Sequence, residues 1–184
     1  AISEPAVRAL SLGAAKAGCW IDTGEGGLSP YHLEGGCDVI MQIGTAKYGV
    51  RDEQGRLSTE KLRDIAAREN VRAFEIKLSQ GAKPGKGGVL MGVKVTPEIA
   101  RIRGIPVGED SLSPNRHPDI ANINELLDMI IRVRDITGKP VGIKTALGGW
   151  EFMNQLTEAI ARRGLSDAPD FIAIDGGEGG SGAA

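Results

Sequence analysis

The sequence predicts an α/β protein built as a parallel (β/α)8 barrel of the TIM type, incomplete in this chain. Three observations carry that expectation. Four short apolar stretches each place one late polar residue on the face opposite their apolar side chains: Gln42 against Val39, Met41 and Ile43, Lys77 against Phe74, Ile76 and Leu78, Lys144 within Val141–Thr145, and Asp175 after Ile172 and Ile174. These stretches alternate with helical segments of crossover length, which join parallel strands. In a parallel barrel one strand face packs on helices while the other points inward, so the last inward residues ring a site at the carboxyl ends. A sheet with one wet face explains any single stretch; recurrence in four suggests one shared pocket.

Taken in order, Ser3 caps a first helix with Pro5 in its opening turn, Val7, Leu10, Ala14 and Ala17 on one face, and Gly18 at its end. Cys19–Thr23 reads as a short strand that runs into Gly24–Pro30, a glycine-rich loop whose one charge is Glu25. A solvated loop carboxylate is the ordinary alternative for that residue. Ser58 caps the next helix, and Leu57 with Leu62 has the spacing of a hydrophobic staple. The Lys77 strand then enters Ser79–Gly88, where Gln80, Lys83 and Lys86 sit among glycines in the outline of an anion site. Residues 79–121 hold little periodicity beyond a short helix at Pro97, and so long a connection usually covers a site or serves one. Its bases, Lys83, Lys86, Lys94, Arg101, Arg103 and Arg116, read singly as solvated loop residues. Asn122 and Glu125 open a helix through Leu126, Ile130 and Val133, stopped by Gly138 and Pro140. The Lys144 strand, a helix over Phe152, Leu156, Ala159 and Ile160, Gly164 and the Asp175 strand complete the alternation.

The chain has 184 residues, whereas a whole eight-unit barrel takes about 250. It starts with alanine and stops within a glycine run; the expectation is one barrel domain over 1–184, truncated at both ends. A net charge of −2 with both signs dispersed provides no basic stripe, so nucleic acid is not an expected partner. Apolar runs fall far short of the roughly 20 residues that span a bilayer, so no membrane is expected and a cytoplasmic location is the default. Cys19 and Cys37 are isolated and read as buried small apolar residues; His32 and His117 lack metal-ligand spacing and read as loop or surface residues. No metal site is expected in this chain.

The closing run after Asp175, Gly176 to Gly182, follows a strand and offers many unobstructed backbone N–H groups, the makings of a phosphate nest. It is not a Walker loop, and a flexible tail is the alternative. Lysine at a barrel strand end can form a Schiff base, hold a carboxylate or phosphate, or donate to a flavin ring. Lys77 and Lys144 are candidates for each role, and the residues alone leave class I aldolase-like chemistry open.

Five strings carry a resemblance. CWIDTGEGG (19–27), KLSQGAKPGKGG (77–88), KVTPEIA (94–100), SLSPNRHPDI (111–120) and DGGEGGSGA (175–183) resemble the FMN-binding synthase domain of the glutamate synthase-like family, and more closely its stand-alone members. The likeness spans the chain, and QGAKPG-x-GG is its most specific element.

The resemblance implies an FMN-dependent oxidoreductase of nitrogen metabolism that condenses 2-oxoglutarate with ammonia to 2-iminoglutarate and reduces this with hydride from reduced FMN, giving L-glutamate. It implies flavin contacts at Gln42 and Lys144 and a cradle of Gly177, Gly179, Gly180, Ser181 and Gly182, next to Asp175 and Gly176. It implies that Lys77, Gln80 and Lys83 face the oxoacid or a neighbouring iron–sulfur region, and that Glu25 lines the way in for ammonia; Lys77, Lys144 and Glu25 are the expected catalytic residues. The family's [3Fe–4S] cluster is held by cysteines expected outside this chain, and partners would be amidotransferase and electron-donor subunits or ferredoxin. Asp22 stands where the resemblance leads one to expect asparagine before TGEGG. Two variants stay open: an N-methylglutamate synthase-type subunit using methylamine, and a non-catalytic barrel segment that binds a partner chain.

Overall fold

The computed structural model describes residues 3–83 and 85–178. In chain order the elements are α1 (Glu4–Ala17), β1 (Ile21–Asp22), α2 (Pro30–Leu33), β2 (Val39–Ile43), α3 (Thr59–Ala66), β3 (Val71–Lys77), β4 (Gly88–Leu90), α4 (Pro97–Arg103), β5 (Ser111–Ser113), α5 (Ile123–Thr137), β6 (Val141–Thr145), α6 (Glu151–Arg163) and β7 (Ile172–Ile174). Five strands form one sheet in the order β1-β2-β3-β6-β7, with every neighbouring pair parallel. The sheet curls into a half-barrel, as an incomplete TIM-type barrel would. β4 and β5 pair antiparallel in a separate ribbon that interrupts the β3-to-β6 crossover.

Alternation along the strands sorts side chains between the two faces. Val39, Met41, Ile43, Phe74, Ile76, Val141 and Ile143 turn outward and pack with Leu62, Leu126, Leu127, Ile130, Val133, Leu156 and Ala159 in one core. The helix α5 is its centre, for Leu127, Ile130 and Val133 recur at helical spacing and are fully buried. Each such side chain contributes roughly 1.5–3 kcal/mol of burial. Because the outward set is apolar, register places the polar residues together on the inner face: Gln42 lies beside Glu75, and Lys77 beside Lys144.

Helix ends follow their local chemistry. Asn122 accepts from the Glu125 backbone while the Glu125 carboxylate accepts from Ala121 N, and Ser58 and Thr96 cap α3 and α4. Gly18 and Gly138 close α1 and α5 at positive φ. Leu57 and Leu62 are both buried, as their staple spacing requires.

Four expectations need correction. The buried face of α1 is Val7, Ser11 and Ala14, with Leu10 54% exposed, because Ser11 Oγ is drawn inward to donate to the His32 carbonyl and accept from Gly35 N. Cys19 is exposed while Cys37 is buried, since Cys19 follows the helix end rather than lying in a strand. His32 and His117 are both buried, each pinned by hydrogen bonds near the strand ends. Finally, β4 and β5 were not read as strands because three residues are too few to show an alternation. Among the described residues no helix is long and apolar enough to cross a membrane.

Candidate active site

The inner face of the half-barrel is a trough of about 1310 Å³ lined by Asp22, Gln42, Glu75, Lys77, Lys144 and Asp175 from all five parallel strands or their ends. It exceeds the usual 300–1,000 Å³ or so of small-ligand pockets. The excess reflects its length, since Arg72, Pro140 and Phe171 line it near the opposite strand ends.

Two ion pairs stand at the carboxyl end. Lys77 Nζ lies 2.6 Å from Glu25 Oε2 and donates to Gln80 Oε1 at 3.0 Å, while Ser113 Oγ donates to Glu25 Oε1 at 3.0 Å. Burial pushes the Glu25 carboxyl up, but the bond and charge of Lys77 and the Ser113 hydroxyl outweigh it and hold the group below its ordinary value. Lys144 Nζ lies 3.0 Å from Asp175 Oδ2, which also accepts from Gly81 N at 3.1 Å. Here too burial raises and the lysine and backbone N–H lower, leaving Asp175 below the carboxylate norm.

Deeper in the trough lie two acids. Gln42 Nε2 donates to Glu75 Oε1 at 2.7 Å, and Asp22 Oδ1 accepts from Gly24 N at 2.6 Å. Burial, followed by the neighbouring Asp22 charge, pushes Glu75 up to about 7. Burial also raises Asp22.

The rim is built by segments that cross it. Ser79 Oγ accepts from Ala146 N and sits 3.1 Å from Thr145 Oγ1, tying the loop after β3 to the end of β6. Gly81 presses so close to the Gly176 carbonyl that a Cβ would collide with it. The segment after β5 is clamped at several points: Thr45 Oγ1 donates to the Pro114 carbonyl, His117 Nε2 to the Lys77 carbonyl at 2.9 Å, and Lys47 pairs with Asp119 at 2.9 Å. A carbonyl only accepts, so Nε2 carries the proton in that bond, and burial holds the His117 pKa below its ordinary value. Arg103 is structural rather than a solvated loop base: buried, it donates to Ser111 Oγ and lies 4.7 Å over the Tyr48 ring.

A second cavity of about 20 Å³ lies under the glycine-rich loop and shares Glu25, Lys77, Gln80 and Ser113 with the trough. It has room for about one water-sized molecule. The Glu25–Lys77 pair borders both spaces.

Of the residues singled out from sequence, Glu25, Gln42, Lys77, Gln80, Lys83, Lys144 and Asp175 all line the trough. Gly176 and Gly177 follow β7 outside that lining, and Gly179, Gly180, Ser181 and Gly182 lie outside the described residues. Sequence reasoning gave no site role to Glu75, Asp22 or Ser113. Glu75 was within reach, since it shares the inward alternation of Lys77 two residues on; Ser113 was not, because only the β4–β5 ribbon carries it to Glu25. Among the described residues no group of three His, Cys, Asp or Glu side chains could hold a metal ion.

The family model described as a conserved region in glutamate synthase matches residues 1–184. The chain belongs to the glutamate synthase family. It is 46% identical over 183 residues to the glutamate synthase large subunit-like protein YerD of Bacillus subtilis, covering 99% of this chain and 34% of that protein. It is 37% identical over 185 residues to the archaeal-type glutamate synthase (NADPH) of Thermotoga maritima and 38% over 186 to the archaeal glutamate synthase (NADPH) of Archaeoglobus fulgidus, in each case covering 100% of this chain and 33% of the relative. This glutamate synthase-family chain thus spans about a third of the length of the curated relatives it matches.

Proposed function

We propose that the chain is part of an FMN-dependent oxidoreductase that forms L-glutamate by reductive amination of 2-oxoglutarate through 2-iminoglutarate. The observation that carries this reading is the pair of lysines side by side at the carboxyl ends of β3 and β6, each beside a carboxylate, above a polar floor in one trough. The residues fit the cofactor. Gln42 and Lys144 line the same space with an amide and a cation, groups that would hydrogen bond to the edge of a flavin ring. FMN would supply the hydride chemistry.

The chain's own residues do the rest. Lys77 and Lys83, with the Gln80 amide, would hold the two carboxylates of the oxoacid, and Lys77 would offset negative charge that develops on the keto oxygen. Glu25, kept ionised by Lys77, would hold ammonium arriving by way of the small cavity that it borders. The overhanging rim segments would limit water's access to an imine. In this reading Asp175, Gly176, Gly177, Gly179, Gly180, Ser181 and Gly182 form the phosphate end of the site, and residues 1–184 are one barrel domain of a cytoplasmic enzyme. Electron-donor and amidotransferase partners follow from the same reading, nucleic acid does not, and no [3Fe–4S] ligand is assigned to Cys19 or Cys37.

The test is an anaerobic visible spectrum of the natural protein purified with FMN and then reduced. Return of the oxidised flavin bands only when 2-oxoglutarate and ammonium are both present is the expected result, and methylamine in place of ammonium tests the methylated variant. A protein without flavin would overturn the reading in favour of a non-catalytic segment.

A further inference from the structure

The strand that carries Lys77 outruns one of its neighbours. β2 pairs with β3 through Ile43 and Ile76 and goes no further, so Lys77 has a register partner on β6, Lys144, and none on β2. There the chain turns away: Lys47 N donates to the Gly44 carbonyl at 2.9 Å, and Lys47 has a φ of 53°, a left-handed conformation uncommon for a residue with a side chain. A trans peptide points its C=O and N–H to opposite sides. Leu78 N donates across to the Lys144 carbonyl on β6 at 2.8 Å, so the Lys77 carbonyl faces the side that β2 has left. His117 fills that gap. Its Nε2 donates to the Lys77 carbonyl at 2.9 Å, where a further residue of β2 would have donated from its backbone.

The turn that ends β2 also holds His117 in place. On one side of it Thr45 Oγ1 donates to the Pro114 carbonyl at 2.6 Å, and on the other the buried Lys47 pairs with Asp119 at 2.9 Å. The ring is 3% exposed and its Nδ1 is buried without a hydrogen-bond partner, so among the described residues the bond to Lys77 is the one its side chain makes. We propose that His117 is a positioning residue for Lys77: it replaces the missing strand donor, fixes the peptide plane that follows Lys77, and so aims the Lys77 ammonium between Glu25 and Gln80. The inference rests on the functional reading only for what Lys77 then holds, a carboxylate of the oxoacid. His117 lies outside the trough lining, so it acts through Lys77 and not on a ligand. With Leu78 N tied to β6 and the Lys77 carbonyl tied to His117, the plane is held from both sides, and the ammonium keeps its contacts of 2.6 Å to Glu25 and 3.0 Å to Gln80. Without the ring only the β6 bond remains, and the end of β3 can swing while Lys144 and its partner Asp175 stay as they are.

Two substitutions in the natural protein separate positioning from a general structural role. His117→Leu keeps the bulk and removes the donor, whereas His117→Gln returns an N–H to a similar reach. The first measurement needs no ligand: acetic anhydride labels the lysines, and peptide mass mapping reads the rate at each one. An ion pair keeps an amine protonated, and acylation needs its free lone pair. In His117→Leu the rate at Lys77 relative to that at Lys144 should rise about fivefold, as loss of one hydrogen bond implies, and His117→Gln should restore the wild-type ratio. Lys144 is the internal reference because it is paired in the same trough, and a general loosening would raise both rates together. An unchanged ratio in His117→Leu, or one that His117→Gln leaves raised, would overturn the proposal. Should His117→Leu not fold, Thr45→Val frees the same segment from outside the ring and should move the ratio the same way; no change there would overturn it equally. The second measurement is steady-state kinetics. The KM for 2-oxoglutarate should rise about tenfold in His117→Leu with bound FMN unchanged, since a single charge-assisted contact is misplaced, and His117→Gln should lie near the wild type. Loss of FMN along with substrate affinity would mean a fold-wide effect and overturn the proposal. No turnover by the wild type would count against the functional reading, and the labelling ratio would still decide whether His117 positions Lys77.

Discussion

Lys77 and Lys144 are register partners on β3 and β6, yet their ammonium groups turn to different acids, Lys77 to Glu25 from the loop after β1 and Lys144 to Asp175 beyond β7. Adjacent strands would set two like charges against each other. Drawing one carboxylate from each side separates the two lysines into distinct stations while leaving both in one trough. Lys144→Ala tests the flavin station. Its partner Asp175 is 30% exposed in its side chain, so the stability cost should be below about 1 kcal/mol. Flavin-dependent turnover by the natural protein should fall by about 100-fold or more, with the thermal midpoint nearly unmoved. Unchanged turnover would remove Lys144 from the mechanism.

Glu25 separates charge from shape. Glu25→Ala strips the partner from Lys77, whose side chain is 12% exposed, and should cost about 1–3 kcal/mol, measured from urea midpoints. Glu25→Gln keeps an oxygen for Lys77 and Ser113, so it should cost less. It nevertheless lacks the negative charge, and ammonium-dependent turnover should drop at least about tenfold. If Glu25→Gln matched the wild type in rate while Glu25→Ala did not, the residue would be a strut for Lys77 and no ammonium site.

These residues also show what a linear sequence makes visible. Gln42, Lys77, Lys144 and Asp175 were legible because each breaks a two-residue alternation within its own strand, a purely local signal. The barrel class followed from the same signal plus crossover lengths. Ser113, His117 and Arg103 were not legible, because their meaning comes from long-range docking: Ser113 meets Glu25 across 88 positions and His117 meets the Lys77 carbonyl across 40.

The pH dependence of stability carries opposing contributions whose signs can be separated. Glu75 is raised to about 7 in the folded chain, so the stability it contributes is complete below its ordinary value near 4.5 and is lost as pH rises through 7. His32 and His117, both lowered mainly by burial, act the other way, adding stability as pH rises through about 6.5. Glu25 and Asp175 are lowered and lose their contributions only on acidification below the ordinary carboxylate range. Subtracting the urea midpoints of Glu75→Gln from those of the wild type between pH 5 and 8 isolates the first term. The difference should move steadily against the wild type with rising pH, and a flat difference would mean that Glu75 ionises normally.

Backbone proximity at the rim gives the final prediction. Gly81 packs against the Gly176 carbonyl, and its N–H donates to the Asp175 oxygen that also pairs with Lys144. A methyl group there meets backbone rather than a flexible side chain, so it cannot be accommodated by a rotamer change. Gly81→Ala should therefore displace the Ser79–Gly88 loop from β7, cost about 1–3 kcal/mol, and weaken FMN binding by loosening Asp175 and with it Lys144. Gly149→Ala is the matched control, since a Cβ at that position meets nothing within 4 Å. Urea midpoints and flavin fluorescence on both variants read the two effects separately. Loss of stability with unaltered FMN affinity would show that the loop supports the fold without shaping the site.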